Sequence, residues 1–365
     1  MEFSCDRKTL ANSIGIVQKA VSYKTTMPIL KGIYLELKDD RLKLIATDLE
    51  LGIEHEIEVD TRKEGNTVVD ARLFSEIIRK LPDAEIDLTL KSDNQLNIKC
   101  QNSEFNIICH DPNEFPALPV VEEDYIYKIP QDLLKNMINQ VIFATSQDVT
   151  RPVLTGALLE IENDILNMVA LDGYRLALSR GKVESVLDNK VIIPAKTLSE
   201  ISRIINEDDE NMDIILTKRH ALFKINNTKL ITRLLEGEFI NYKQIIPSEY
   251  KTKIRVRTRD LLNSIERASL VAREGKNNLV KLKILDGKIY ISSNSELGEV
   301  KEEVFIELMG NELEIAFNSK YIVDALKVIE DEEIYIEFTS NLSPGIIKST
   351  TSDNYTHLIL PVRLS

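Results

Sequence analysis

Pro28-Ile29-Leu30-Lys31-Gly32 returns 124 residues later as Pro152-Val153-Leu154-Thr155-Gly156. The same offset, without a gap, sets Leu44-Ile45-Ala46-Thr47-Asp48 on Met168-Val169-Ala170-Leu171-Asp172. It also sets Ala71-Arg72-Leu73-Phe74-Ser75-Glu76-Ile77 on Ala195-Lys196-Thr197-Leu198-Ser199-Glu200-Ile201, and Glu114-Phe115 on Glu238-Phe239. Several matches at one spacing mark an internal duplication. A third copy is more diverged. At a shift of 248, Arg72, Glu76 and Arg79 meet Lys320, Asp324 and Lys327; separately, Leu133-Leu134 near the start of the second unit resembles Leu261-Leu262 in the third. A period near 124 residues is domain-sized rather than solenoid-sized. The chain therefore reads as three homologous domains at 1–122, 123–247 and 248–365. Pro116-Ala117-Leu118-Pro119 with Glu122-Glu123-Asp124, and Pro247-Ser248-Glu249, read as the linkers.

Each unit repeats one grammar. Amphipathic helices are predicted over 7–20, 131–145 and 259–273, with Asp6, Asp132 and Asp260 near their starts, where a carboxylate suits unpaired amides and the helix dipole. Second helices are predicted over 71–81, 195–206 and 319–329. Between and after them the pattern alternates with period two, as in Ile33-Tyr34-Leu35-Glu36-Leu37, Leu42-Lys43-Leu44 across the turn Asp39-Asp40, Ile86-Asp87-Leu88-Thr89-Leu90, and Ile334-Tyr335-Ile336-Glu337-Phe338. Two helices on an antiparallel sheet, three times over, is an α+β architecture.

With 43% hydrophobic and 29% charged residues in 365, the composition is that of a globular chain and excludes a disordered one. No apolar run reaches the ~20 residues of a membrane helix. The start, Met1-Glu2-Phe3-Ser4-Cys5-Asp6, is polar at once and does not read as a signal peptide. Three unpaired-looking cysteines, Cys5, Cys100 and Cys109, point to reduced thiols and a cytoplasmic setting.

The net charge of -13 would ordinarily argue against nucleic acid, but the charge is segregated. The six predicted helices carry +8 and the rest of the chain −21. Lys and Arg favour helices in any protein, which is the ordinary explanation. The repeat adds a second observation. Arg72, Lys196 and Lys320 are equivalent positions, as are Arg79, Arg203 and Lys327. A cation kept at one site in three diverged copies points to a shared role.

Catalytic patterns are missing. There is no G-x-G-x-x-G, Walker lysine loop or G-x-S-x-G elbow. His55, His110, His220 and His357 lack metal-ligand spacing, and Cys100 and Cys109 read as core residues on neighbouring strands. Glu207-Asp208-Asp209-Glu210 reads as a solvated loop rather than a metal site, and so does its counterpart Asp331-Glu332-Glu333.

The assembled segments resemble the bacterial DNA polymerase III beta subunits, the sliding-clamp family. The resemblance runs the length of the chain. It is carried by Thr26-Met27-Pro28-Ile29-Leu30, Ala46-Thr47-Asp48-Leu49-Glu50, Ala170-Leu171-Asp172-Gly173-Tyr174-Arg175-Leu176-Ala177, Leu235-Glu236-Gly237-Glu238-Phe239 and Leu360-Pro361-Val362-Arg363-Leu364. It implies three DNA-clamp domains per chain and a head-to-tail homodimer closed into a six-domain ring, with helices facing duplex DNA and strands outside. It also implies a non-catalytic processivity factor with no cofactor, opened by a separate clamp loader.

The resemblance implies residue roles as well. Lys24, Arg72, Arg79, Gln147, Lys196 and Arg203 would face DNA without reading sequence. Phe105, Leu270 and Val271 would lie near the dimer joint, with ordinary core packing as the alternative. Polymerases and other replication or repair proteins would insert a short Gln- and Leu/Phe-containing peptide into an apolar pocket. Leu154, Gly173, Tyr174, Arg175, Leu176 and Ile245 would supply part of it from the second unit. Asn318, Tyr321, Pro344, Ile346, Leu360, Pro361, Val362 and Arg363 would supply the rest from the third. Three departures stand out: Leu171 where Thr is common, Ile240 where Pro is common, and Ser365 past the usual terminal Leu. Two other readings stay open: a scaffold of three α+β modules that binds proteins but not DNA, and an enzyme using the acidic stretch 207–210 with a divalent metal.

Overall fold

The computed structural model describes residues 1–122, 125–184, 187–205, 210–275 and 278–363. Of the residues singled out above, Glu123, Asp124, Glu207, Asp208, Asp209, Leu364 and Ser365 lie outside them. Among the described residues there are six α-helices: α1 Arg7–Val17, α2 Ala71–Lys80, α3 Gln131–Val141, α4 Ala195–Ile204, α5 Thr258–Ala272 and α6 Ser319–Leu326. Three of them, α1, α3 and α6, end three or four residues sooner than the periodicity predicts. Gln18–Ala20 and Ile142–Ala144 tighten into 3-10 turns, where Val21 N–H reaches the Gln18 carbonyl and Thr145 N–H the Ile142 carbonyl, and α6 stops before Lys327. Asp6 caps α1 by accepting from Thr9 N at 2.8 Å, and Asp70 caps α2 by accepting from Leu73 N at 2.8 Å. Asp132 and Asp260 sit inside the first turn instead, where they act through the dipole.

The turns show the duplication in three dimensions. Asp39 and Asp40 have φ of 51° and 57°, and their counterparts Asn163 and Asp164 have 52° and 61°. Two successive left-handed residues make the tight hairpin turn that matches strand twist, and Asn and Asp tolerate it. Pro28–Lys31 and Pro152–Leu154 are matching 3-10 turns, each pinned by a bond from an upstream amide, Ser22 N to Leu30 O and Ser146 N to Leu154 O.

By contacts the chain forms two compact units, and their limits cut across the second repeat. One comprises 1–131 and 203–234, the other 132–202 and 235–365. The first holds a 13-stranded antiparallel sheet in which Leu51–Glu58 of the first repeat pairs with Thr228–Arg233 of the second, Ile53 opposite Leu230. The second holds a 12-stranded sheet in which Arg175–Lys182 of the second repeat pairs with Tyr355–Ile359 of the third, Ala177 opposite His357. Backbone ladders thus run through both sequence joins.

In the first unit α1 buries Leu10, Ile14 and Val17, and α2 buries Phe74, Ile77 and Ile78. Cys5, Cys100 and Cys109 are buried free thiols, the last two on the adjacent strands Gln95–Cys100 and Ser103–His110. The segment 116–119, predicted as a linker, is docked. Leu118 lies over Gly52, where any side chain would collide with it, and packs on Ile215, Leu222 and Ile231. In the second unit α5 and α6 lay Leu261, Ile265, Ile322 and Ala325 on strand residues such as Ile254, Ile289 and Phe317. Asp331-Glu332-Glu333, predicted as a solvated loop, is engaged. The Asp331 carbonyl accepts from Thr258 Oγ1 at 2.6 Å, its carboxylate accepts from the Tyr355 hydroxyl at 2.9 Å, and Glu333 pairs with Arg255. Among the described residues no helix is long and apolar enough to cross a membrane.

Candidate functional site

Asp172 organises one end of the second unit. One carboxylate oxygen accepts from Tyr174 N at 2.9 Å and Arg175 N at 3.0 Å, and the other accepts from Arg175 Nε at 3.0 Å. The turn needs Gly173 at φ +93°, a region open to glycine at little cost. Asp48 builds the same turn in the first repeat, accepting from Glu50 N and Leu51 N, but there Leu49 takes φ of 78°. The second copy thus carries a turn whose side chains point to a different use.

Arg175 is the hub. Only 9% exposed, it donates to Asp172, to Asp324 Oδ2 at 2.6 Å and to the Phe143 carbonyl at 2.6 Å. Its guanidinium lies 4.6 Å from the Tyr321 ring centre and 5.2 Å from that of Phe143. A buried Arg donating to two carboxylates and a carbonyl is held in one orientation by its neighbours. Tyr321 stacks on Tyr174 with centroids 6.3 Å apart, and Tyr174 is 62% exposed. Burial holds the Tyr321 phenol above its ordinary pKa, so it stays a neutral ring.

Beside this hub lies an apolar floor. Leu154, Leu176 and Ile346, three of the sequence-predicted pocket residues, belong to one buried cluster with Leu171, Tyr242 and Leu358. Leu171, the departure from Thr, is therefore part of the floor itself. Leu360 N–H donates to the Tyr174 carbonyl, and Val362 N–H to that of Ala316, so the C-terminal segment is stitched across the site. Pro361 and Val362 are half-buried and Arg363 is exposed. Ile245 is exposed at the end of the turn Tyr242–Gln244, and Pro344 is half-buried before the strand Gly345–Ser349. Asn318 caps α6, its Oδ1 accepting from Lys320 N at 3.0 Å. Sequence reasoning gave no role to Asp172, Phe143, Asp324, Tyr242 or Glu160. Asp172 was visible in the repeated motif, but nothing local marks Phe143 or Glu160.

The cationic candidates are all on the surface. Lys24, Arg72, Arg79, Lys196 and Arg203 are exposed, and so are Gln147 and Lys320. Arg72 pairs with Glu76 one turn on at 3.0 Å, and Arg79 donates to Gln18 at 3.4 Å. An exposed ion pair such as Arg72–Glu76 contributes ~0–1 kcal/mol, so it holds the guanidinium only weakly. Gln147 and Lys196 meet at one hollow of about 490 Å³, with Thr145, Thr155 and Ser199 around them. Asp148, accepting from Thr150 N and Oγ1, shapes the loop that presents Gln147.

Among the described residues, two strands are paired along only part of one side. Ser103–His110 pairs along Gln95–Cys100, but on its other side only Cys109 and His110 are matched. It carries Phe105, 40% exposed, and the more exposed Ile108. Gly298–Gly310 pairs with Lys288–Ser295 through its first part and with Thr252–Arg257 through its last. Phe305 is exposed there, Leu297 precedes it, and Leu270 on α5 is 64% exposed. Neither Phe105 nor Leu270 is core packing.

Comparisons with known proteins cover the whole chain. Family models described as the N-terminal, central and C-terminal domains of the DNA polymerase III beta subunit match residues 1–119, 128–241 and 243–363. The beta sliding clamp of Halalkalibacterium halodurans is 41% identical over 378 residues, covering 100% of both chains. The crystal structure of the Bacillus subtilis DNA polymerase sliding clamp superposes with a TM-score of 0.97 at 40% identity, over 100% of both chains. A Pseudomonas aeruginosa sliding clamp bound to griselimycin matches with a TM-score of 0.95 at 27% identity, again over 100% of both.

Proposed function

The chain belongs to the DNA polymerase III beta-subunit family, the bacterial DNA sliding clamps, and from that premise we propose how its own residues serve the task. It is a non-catalytic processivity factor for the replicative polymerase. Its three repeats, 1–122, 123–247 and 248–365, act as three clamp domains, and two copies close head to tail into a ring of six. Such a joint is heterologous and closes because two copies complete the circle. The exposed apolar side chains Phe105 and Ile108 in the first repeat, and Leu270, Leu297 and Phe305 in the third, with Val271 half-buried beside Leu270, support it.

Duplex DNA passes through the ring against Lys24, Arg72, Arg79, Gln147, Lys196 and Arg203. Long flexible cations see a nearly uniform phosphate field, so the ring slides, and retention comes from closure rather than from affinity. A separate clamp loader opens it in the cytoplasm. Polymerases and repair proteins dock by a short peptide whose apolar side chains settle on Leu154, Leu176 and Ile346 and whose backbone meets the segment 360–362. The observation that carries this reading is the succession of three family domains along the full chain. Retention on DNA tests it. The loaded protein should stay on a closed circle and leave when the circle is cut; equal loss from both refutes it.

A further inference from the structure

The wall of the peptide pocket that carries Ile245 is part of an irregular segment, 235–250, whose one regular element is the short turn Tyr242–Gln244. The bonds Gln244 N to Asn241 O and Ile245 N to Tyr242 O are internal to the segment. They hold the shape of the turn, while the ends of the segment are tied to the rest of the unit by Leu235 N to Ile192 O and by Thr339 Oγ1 to Glu249 O. Between those ends the turn itself is placed by Phe239 and Tyr242, both buried in the cluster that forms the pocket floor, by Leu235 and Ile246 packed against that cluster, and by the strand Gly156–Glu162. The Tyr242 hydroxyl donates to Glu160 Oε2 at 2.6 Å. Lys243 Nζ donates to Glu162 Oε2 at 2.6 Å and lies 3.4 Å from Glu160 Oε2. Lys190 lies 3.7 Å from Glu160 Oε1. Glu160 is 9% exposed, so this carboxylate is held in the interior by a phenol and flanked by two cations. Burial, and then Glu160 itself, raises the Tyr242 pKa above its ordinary value, so the phenol remains a donor at any physiological pH.

We propose that Tyr242 and Glu160 are positioning residues for partner recognition, fixing the Tyr242–Gln244 turn so that Ile245 stands at a set distance from the floor of Leu154, Leu176 and Ile346. This rests on the docking reading above and goes beyond it, since neither residue is among those the family resemblance assigns to the pocket. Tyr242 joins the two requirements in one side chain: its ring packs on the floor and its hydroxyl is tied to the strand. A loop held by packing alone would leave Ile245 free to shift, and the peptide would spend part of its binding energy ordering it.

The test uses the full chain and a fluorescently labelled synthetic peptide with one Gln and a Leu-Phe pair, read by anisotropy. Tyr242→Phe keeps the ring and removes the hydroxyl. It is expected to raise the peptide dissociation constant about five- to tenfold, with the oligomeric mass unchanged. Glu160→Gln, which keeps an acceptor, should fall between Tyr242→Phe and wild type. In an Ile245→Ala background Tyr242→Phe should have no further effect, because the residue it positions is gone. Unchanged binding by Tyr242→Phe overturns the proposal. An equal loss in both backgrounds also overturns it, since that is what general loosening produces. Should the wild-type chain bind no peptide while Leu176→Asp behaves identically, the docking reading falls first and this inference with it.

Discussion

His357 offers a quantitative check on the interior beneath the pocket. It is fully buried on the strand Tyr355–Ile359, and among the described residues neither ring nitrogen has a hydrogen-bond partner. The Phe143 and Tyr355 rings lie 5.5 and 5.4 Å away, and the Arg175 guanidinium is the nearby charge. Burial first, and Arg175 second, hold the imidazole pKa down to about 3 from an ordinary 6.5. The folded chain therefore keeps His357 neutral below pH 6.5, while the unfolded chain takes up a proton there. Stability from this residue is complete above pH 6.5 and is lost as the pH falls toward 3, at ~1.4 kcal/mol per pH unit. At pH 4.5 the deficit is about 2.7 kcal/mol on that slope. The check is urea denaturation of wild type and His357→Leu at one protein concentration, from pH 7.5 down to about 4.5. Subtraction removes the carboxylates common to both. The variant should be at least as stable at pH 7.5, because Leu buries no orphan nitrogens, and should gain on wild type with each step down. Parallel curves, or an imidazole resonance titrating near 6.5, would refute the reasoning.

Three further outcomes follow from the site. Leu176→Asp or Tyr321→Asp places a charge on the floor or the stack and should abolish peptide binding while leaving the dimer mass intact in analytical ultracentrifugation; surviving partner binding refutes the pocket assignment. Reversing Arg72, Lys196 and Lys320 to Glu should flatten the slope of log affinity against log salt on duplex DNA by up to about 2.7, at ~0.9 for each phosphate no longer neutralised. An unchanged slope there would favour a scaffold that does not bind DNA. Leu270→Asp should shift the mass from dimer to monomer, and a stable dimer would place the joint elsewhere.

Particular elements show how far the sequence could be read. The helices over 71–81 and 195–206 were legible because both amphipathic period and repeat placed them, and they fold as α2 and α4. The ends of the helices predicted over 7–20 and 131–145 were not, because 3-10 tightening depends on where the last carbonyls find donors. Leu154, Leu176 and Ile346 were placed through family resemblance, and they do share one buried cluster. Asn318 was placed on the same basis; that its side chain also caps a helix was not legible there. The docked Leu118 escaped notice because Pro-rich flanks look alike whether a segment is loose or packed on Gly52.

From the sequence alone came the threefold duplication, the α+β grammar and the separation of cationic helices from acidic strands and loops. These are properties of order and period along a chain, and they survive without coordinates. Tertiary structure alone decided that Arg175 is consumed by Asp172 and Asp324, that Tyr242 reaches Glu160, and that the sheets run through the joins between repeats. Those pairings bridge 149 residues in one case and 82 in another, and no local pattern encodes which distant partner a buried charge will find. A buried polar group must be satisfied somewhere, but only the packed backbone says where.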